Sequence, residues 1–177
     1  MRPGRLAGPR IRLLPAPQEL GAAVLSGDEA QVDALLHGLG LLRAPDWPAD
    51  HTALALQAAA QGPAPTWLVA HGGRVVGECG VTAPPDADGA ALIAYGLAPS
   101  ARSTGLGTEA VAVLTTWLEA QPGVRLVAAE VLPGNEASLR LLVRLGFRES
   151  GSHPPHLRLV RPGPGERLPV LRGRRVC

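Results

Sequence analysis

Lysine is absent from this chain of 177 residues, and asparagine, tyrosine, phenylalanine and methionine occur once each. All 17 basic residues are therefore arginine. Aromatic residues make up 3% of the chain, too few for the stacking platform of a single-strand nucleic-acid surface. Charged residues are 18% and hydrophobic ones 46%, a balance that argues against disorder. No stretch approaches the ~20 apolar residues of a membrane helix. The two cysteines, Cys79 inside an apolar run and Cys177 at the last position, give neither a disulfide framework nor metal-ligand spacing. The stretch from Met1 to Leu14 is basic but broken by Pro3, Gly4, Gly8 and Pro9, so it lacks the apolar core of a secretory signal. A cytoplasmic protein is expected, free of metal and membrane, with a single domain over 1–177 that buries ~70% of its unfolded surface.

What is present is unevenly placed. Residues 1–14 carry four arginines and no acid, and residues 161–177 carry five arginines and one glutamate. The stretch between them has eight arginines against fourteen acids. An acidic body attracts a cationic substrate more readily than nucleic acid. The basic ends are expected to be solvated and weakly ordered.

Residues 10–14 alternate well enough for a short strand, closed by Pro15 and Pro17. Apolar residues then recur at helical spacing from Gln18 to Leu39, and Ser26-Gly27-Asp28 divides this into two helices. A loop over 46–50 and a helix over 52–61 follow. At Thr66 the character changes: two apolar runs around Gly72-Gly73 predict a β-hairpin, and 90–97 predicts another strand. Leu106, Ala110, Val113, Leu114, Trp117 and Leu118 share one face of a helix ended by Pro122-Gly123. A strand over 124–132, a helix from Asn135 to Leu145 supported by Glu136 and Arg140, and a final strand or hairpin from Phe147 complete the pattern.

The segment Arg102-Ser103-Thr104-Gly105-Leu106-Gly107-Thr108 lies between a predicted strand and the best helix. Its glycines let successive N–H groups turn into one concavity at the positive end of the helix dipole, an anion site suited to a pyrophosphate, with Arg102 adding charge. The lysine and spacing of a nucleotide P-loop are absent. A glycine-rich connection without a ligand is the plainer alternative. A second one is a dinucleotide fingerprint: Gly105-Leu106-Gly107-Thr108-Glu109-Ala110 fits it, with Glu130 20 residues beyond Ala110. Against an NAD enzyme, Ala98 to Thr104 separates strand and glycine, and the chain after Glu130 is too short for the remaining units.

Three segments in order carry a family resemblance. They are Tyr95 to Pro99, Arg102 to Ala110, and Asn135 to Phe147 through Ser138, Leu142 and Gly146, and they hold the unique tyrosine, asparagine and phenylalanine. Together they resemble the GNAT superfamily of acetyl-CoA-dependent N-acetyltransferases, in particular the branch that acetylates protein N-termini such as those of ribosomal proteins. The likeness covers roughly residues 66–150. It implies an α/β (α+β) fold with a mixed, mainly antiparallel sheet flanked by about four helices, whose strands 90–97 and 124–131 splay to admit pantetheine. It also implies acetyl-CoA contacts from Gly96, Leu97, Ala98 and the loop Arg102, Ser103, Thr104, Gly105, Leu106, Gly107 and Thr108. Asn135 and Ser138 would add contacts to the pantetheine arm; an Asn after Pro-Gly is also simply a helix N-cap.

The departures concern acid–base chemistry. Counting from Gly105, the family's strand glutamate falls on Leu92 or Ala91; counting from Asn135, its helix tyrosine falls on Leu142. Neither position can ionise. The N-terminal alanine acetyltransferases carry a proposed base five residues before the asparagine, which here is Glu130. Glu78 on the hairpin is the second catalytic candidate and the Ser138 hydroxyl the third; each has a structural alternative as a salt-bridge partner or surface residue. A reduced set can suffice: neutralising a lysine amine at pH 7 costs ~4.6 kcal/mol but an α-amine only ~1.1 kcal/mol, and a thiol of pKa ~8.5 leaves without obligatory protonation. The expected mechanism is direct attack of a neutral amine, with backbone N–H groups near Gly96 and Leu97 stabilising the oxyanion. The acceptor is a protein N-terminus or a small amine, a homodimer is compatible with the sequence, and a CoA-binding protein without turnover is the alternative. Cys79 reads as a buried thiol, His71 as solvated, His153 and His156 as loop residues near the substrate mouth, and Trp47 and Trp67 as packing.

Overall fold

The computed structural model describes residues 3–49, 56, 65–83 and 85–166. Its sheet contains β1 (Leu6–Ala7), β2 (Arg12–Pro15), β3 (Leu42–Arg43), β4 (Thr66–His71), β5 (Arg74–Val81), β6 (Ala90–Leu97), β7 (Leu126–Val131), β8 (Arg148–His153) and β9 (His156–Pro162). Strand order is β1-β2-β4-β5-β6-β7-β9-β8. Every pairing is antiparallel except β6 with β7 and β3 with β5. A dinucleotide fold needs a mainly parallel sheet, so this topology overturns the NAD alternative.

Four helices are described: α1 (Gln18–Ser26), α2 (Glu29–Gly38), α3 (Leu106–Glu119) and α4 (Glu136–Arg144). The break between α1 and α2 falls where Gly27 takes a left-handed conformation and Asp28 caps the amide of Gln31. α3 lies across β5, β6 and β7 and buries Leu106, Ala110, Leu114 and Leu118 of the expected face together with Val111, while Val113 and Trp117 are partly buried. Trp117, on the flank of that face, meets the buried Trp67 edge-on with ring centroids 4.7 Å apart, so Trp67 is packing as expected. The helix expected over 52–61 lies outside the described residues except for the buried, helical Leu56.

Two expectations are corrected. The N-terminal segment is not a loose basic tail: β1 pairs with β2, and the Gly4 carbonyl accepts a 2.7 Å bond from the Trp67 indole. His153 and His156 belong not to a loop but to the paired ends of β8 and β9. Residues 167–177 lie outside the described residues; within 161–166, Arg161 pairs with Glu119 and Glu166 with Arg125.

No sequence pattern marks β3. It pairs with Arg74 and Val75, on the edge of β5 that β6 occupies only from Gly77 onward. Two residues of parallel pairing carry no periodicity of their own, yet this contact brings residues 44–47 to the end of β6.

Candidate active site

β6 and β7 pair over four positions only, from Ala90 with Leu126 to Ile93 with Ala129. Beyond them Ala94–Leu97 stays paired with β5, and Glu130 and Val131 stay paired with β9, so the two strands part company with their outer partners intact. The gap is therefore built into the sheet rather than created by fraying. β5 helps to hold β6 here: a Cβ on Gly77 would collide with the Gly96 carbonyl and with Leu97, so only glycine permits this close approach.

Past the gap the chain forms a 3-10 turn over Pro99–Ala101 and enters the glycine-rich loop. Ser103 has φ 61° and Gly105 φ 85°, two left-handed positions on either side of Thr104 at the start of α3. Among the described residues no side-chain hydrogen bond caps α3 at Gly105. Arg102 folds toward the gap, its Nε donating to the Leu97 carbonyl at 3.0 Å. From outside, Arg10 donates to the Thr104 carbonyl at 3.0 Å and pairs with Glu109 in the first turn of α3, a brace between residues 99 apart that no local pattern marks. A Cβ on Gly107 would stand 3.2 Å from Leu97, so α3 is seated closely on β6. An uncapped helix start, a concave glycine turn and an open strand edge together fit a diphosphate with an extended arm.

Side chains alternate across β6, and the two faces differ. Toward the helices, the Tyr95 hydroxyl lies 2.6 Å from the Ser138 hydroxyl on α4, and burial raises the Tyr95 pKa to about 12. Asn135 caps α4, its Oδ1 accepting from the Ser138 amide at 3.1 Å, so the N-cap reading of this residue holds. Leu142 is wholly buried and packs in the core.

On the other face Glu78 stands opposite Gly96. Leu92 pairs with Ala128, so Leu92, Ala128 and, two residues on, Glu130 share this face with Glu78. The two carboxylates singled out in the sequence thus lie on one side of the sheet, and Glu130 sits just past the last β6–β7 pair, opposite Arg158. Glu78 is 1% exposed; burial pushes its pKa up to about 8, with the Trp47 hydrogen bond acting against the shift. The Trp47 indole donates to Oε2 at 2.7 Å, while Oε1 is buried with no partner among the described residues. Trp47 is packing, as expected, and also a donor.

The remaining candidates stand apart. Cys79 is completely buried, and burial followed by the nearby Glu78 charge drives its thiol far above the ordinary range, which excludes a nucleophile at neutral pH. His71 is exposed and its Nδ1 contacts the Arg10 carbonyl at 2.9 Å. A cavity of about 310 Å³ opens between α2, β3 and the start of β5, lined by residues including Asp33, His37, Arg43 and Arg74. Among the described residues no cluster could hold a metal ion, and no helix is long and apolar enough to cross a membrane.

The acetyltransferase (GNAT) domain family matches residues 10–148, and the chain belongs to that family. It is an acetyl-CoA-dependent N-acetyltransferase, with acetyl-CoA as co-substrate. Solved structures share the fold at low identity. RimL, a ribosomal alpha-N-protein acetyltransferase in complex with coenzyme A, is 17% identical with a TM-score of 0.63, covering 90% of this chain and 98% of that one. A ribosomal-protein alanine acetyltransferase from Vibrio fischeri is 14% identical, TM-score 0.63, with 91% and 97% covered. RimJ from Mycobacterium smegmatis is 21% identical, TM-score 0.60, with 93% and 91% covered. No curated protein matches the chain.

Proposed function

We propose that the chain acetylates a primary α-amine, that of a protein N-terminus or a small amine, by direct attack on acetyl-CoA, with Glu78 as general base. The observation that carries this reading is the buried Glu78 carboxyl, one oxygen without a partner among the described residues, opposite Gly96 in the part of β6 beyond its last pair with β7. Acetyl-CoA supplies an acetyl thioester. Gly105, Leu106, Gly107 and Thr108 would hold its diphosphate through main-chain amides, with Arg102, Ser103 and Thr104 completing the loop. Gly96, Leu97 and Ala98 border the gap for its arm, with Asn135 and Ser138 on the helix side.

A base with pKa about 8 matches an α-amine of pKa ~7.8 and is mismatched to a lysine amine of ~10.4. Proton transfer from an α-ammonium to Glu78 is therefore close to isoenergetic. Glu130, the candidate to which the family resemblance points, is the second carboxylate of this face. The Tyr95–Ser138 hydroxyl pair offers a hydrogen bond on the opposite face, where the family's helix tyrosine is replaced by Leu142.

The test is CoA release measured over a panel of peptides with free N-termini, N-blocked lysine peptides and small amines. Turnover is expected on the α-amines and little on the lysine side chains. Tight acetyl-CoA binding with no acetylation of any amine would instead favour a CoA-binding protein, and equal efficiency on lysine would remove the base assignment.

A further inference from the structure

We propose that Asp46 and Trp47 are positioning residues that tie the Glu78 carboxyl to the turn opening the cofactor loop, so that both are set by one rigid connection. The inference rests on the reading of Glu78 as the base. β3 takes the edge of β5 where β6 ends, and the Ala44 amide continues that ladder to the Val75 carbonyl at 3.0 Å. The chain then turns, with the Trp47 amide donating back to Ala44 at 3.1 Å. From this turn two consecutive side chains reach different parts of the site. The Asp46 carboxylate accepts from the Ser100 amide at 2.6 Å and from its hydroxyl at 2.8 Å, and Ser100 lies in the 3-10 turn two residues before Arg102. The next side chain, Trp47, donates to Glu78.

The chemistry of the two contacts differs in a useful way. Asp46 is held below the ordinary carboxylate range by the Ser100 amide and hydroxyl, with Arg102 adding to them, so it stays charged and the clamp persists across working pH. The indole is a donor only. It can bond Glu78 in either protonation state, and by holding Oε2 it leaves Oε1 as the oxygen to take the proton. Trp47 thereby selects one oxygen of the carboxyl, and Asp46 fixes Trp47 relative to the loop that follows Ser100.

Steady-state kinetics against pH, with acetyl-CoA binding by calorimetry, test this on Trp47→Phe, Asp46→Ala and Asp46→Asn. Loss of the indole N–H is expected to raise the apparent pKa of kcat by about half a unit or more, with acetyl-CoA affinity changed less than about twofold. Asp46→Ala is expected to raise the same pKa without touching Glu78 and also to weaken acetyl-CoA about fivefold or more, with Asp46→Asn restoring part of both, because its amide oxygen can still accept from Ser100. A purely structural role would lower thermal stability and leave the pKa in place. An unmoved pKa in Asp46→Ala overturns the proposal even if Trp47→Phe does not fold. An unchanged rate in Glu78→Gln overturns the base reading itself, and this inference with it; a collapsed rate there beside unmoved pKa values in the other variants overturns the positioning pair alone.

Discussion

Glu78 stands opposite Gly96 in the β5–β6 ladder, and on the far side of Gly96 the neighbouring strand has already turned away. A buried carboxyl thus faces a backbone segment with an open edge, the arrangement in which a base can reach a nucleophile held against that edge. Glu78→Gln preserves shape while removing the proton acceptor. It is expected to lower kcat about 10²-fold with acetyl-CoA affinity nearly unchanged. In the parent protein the rate should rise with pH and level off above about pH 8, where Glu78 ionises. An α-amine titrates nearby, so the profile should be repeated with acceptors of lower amine pKa: the limb near 8 is expected to stay, and a limb that follows the acceptor would take Glu78 out of the role.

The same carboxyl makes stability depend on pH. Its folded pKa of about 8 exceeds the ordinary 4.5, so the native state keeps a proton that the unfolded chain releases between these values. Stability due to this group is complete below about pH 4.5 and declines by about 1.4 kcal/mol per pH unit until about pH 8. Glu78→Gln cannot ionise. Denaturation curves at pH 5 and pH 8 should therefore show a smaller loss on raising pH in the variant than in the parent, and equal losses would contradict the raised pKa.

On the helix side the unique tyrosine is linked to Ser138. Two hydroxyls 2.6 Å apart form a directed chain whose outer proton can point toward the gap between β6 and β7. Tyr95→Phe and Ser138→Ala are each expected to lower kcat about three- to tenfold, and the double variant no further than the worse single one. Fully multiplicative losses would show that the hydroxyls act separately. Because a thiolate leaves unaided, neither variant should be inactive.

Much of this was readable in advance, and the residues show why. The hairpin of β4 and β5 and the strand β6 follow from continuous apolar runs divided at Gly72-Gly73, and the helix α3 from a period-3.6 pattern ended by Pro122-Gly123. Glu78 and Glu130 are candidates from sequence alone, but their common face depends on the β5–β6 and β6–β7 registers, which local pattern does not encode. The partners of Glu78 and Ser100 were hidden for the same reason: Trp47 is 31 residues from Glu78 and Asp46 is 54 from Ser100. Both contacts depend on β3, whose two paired residues leave no trace in the sequence. Glu109 offered a fingerprint match and nothing more, while its actual partner, Arg10, comes from the far end of the chain.

That last pair carries a prediction of its own. The Glu109 carboxylate accepts from the Arg10 amide at 2.6 Å, the Ile11 amide at 3.2 Å and the Arg10 Nε at 3.0 Å, joining the N-terminal segment to the first turn of α3. Burial works to raise its pKa but is outweighed by these donors, which hold it below the ordinary value of 4.5. The sign is opposite to that of Glu78: stability from Glu109 is present above about pH 4.5 and is lost as pH falls through the lowered pKa. Glu109→Gln keeps one acceptor and loses the charge, and should cost ~1–3 kcal/mol at pH 7. The gap between variant and parent in chemical denaturation should close as the pH is lowered through this range. A gap that persisted undiminished at low pH would mean that packing of the side chain, and not its ionised contacts with Arg10 and Ile11, holds the segment to the helix.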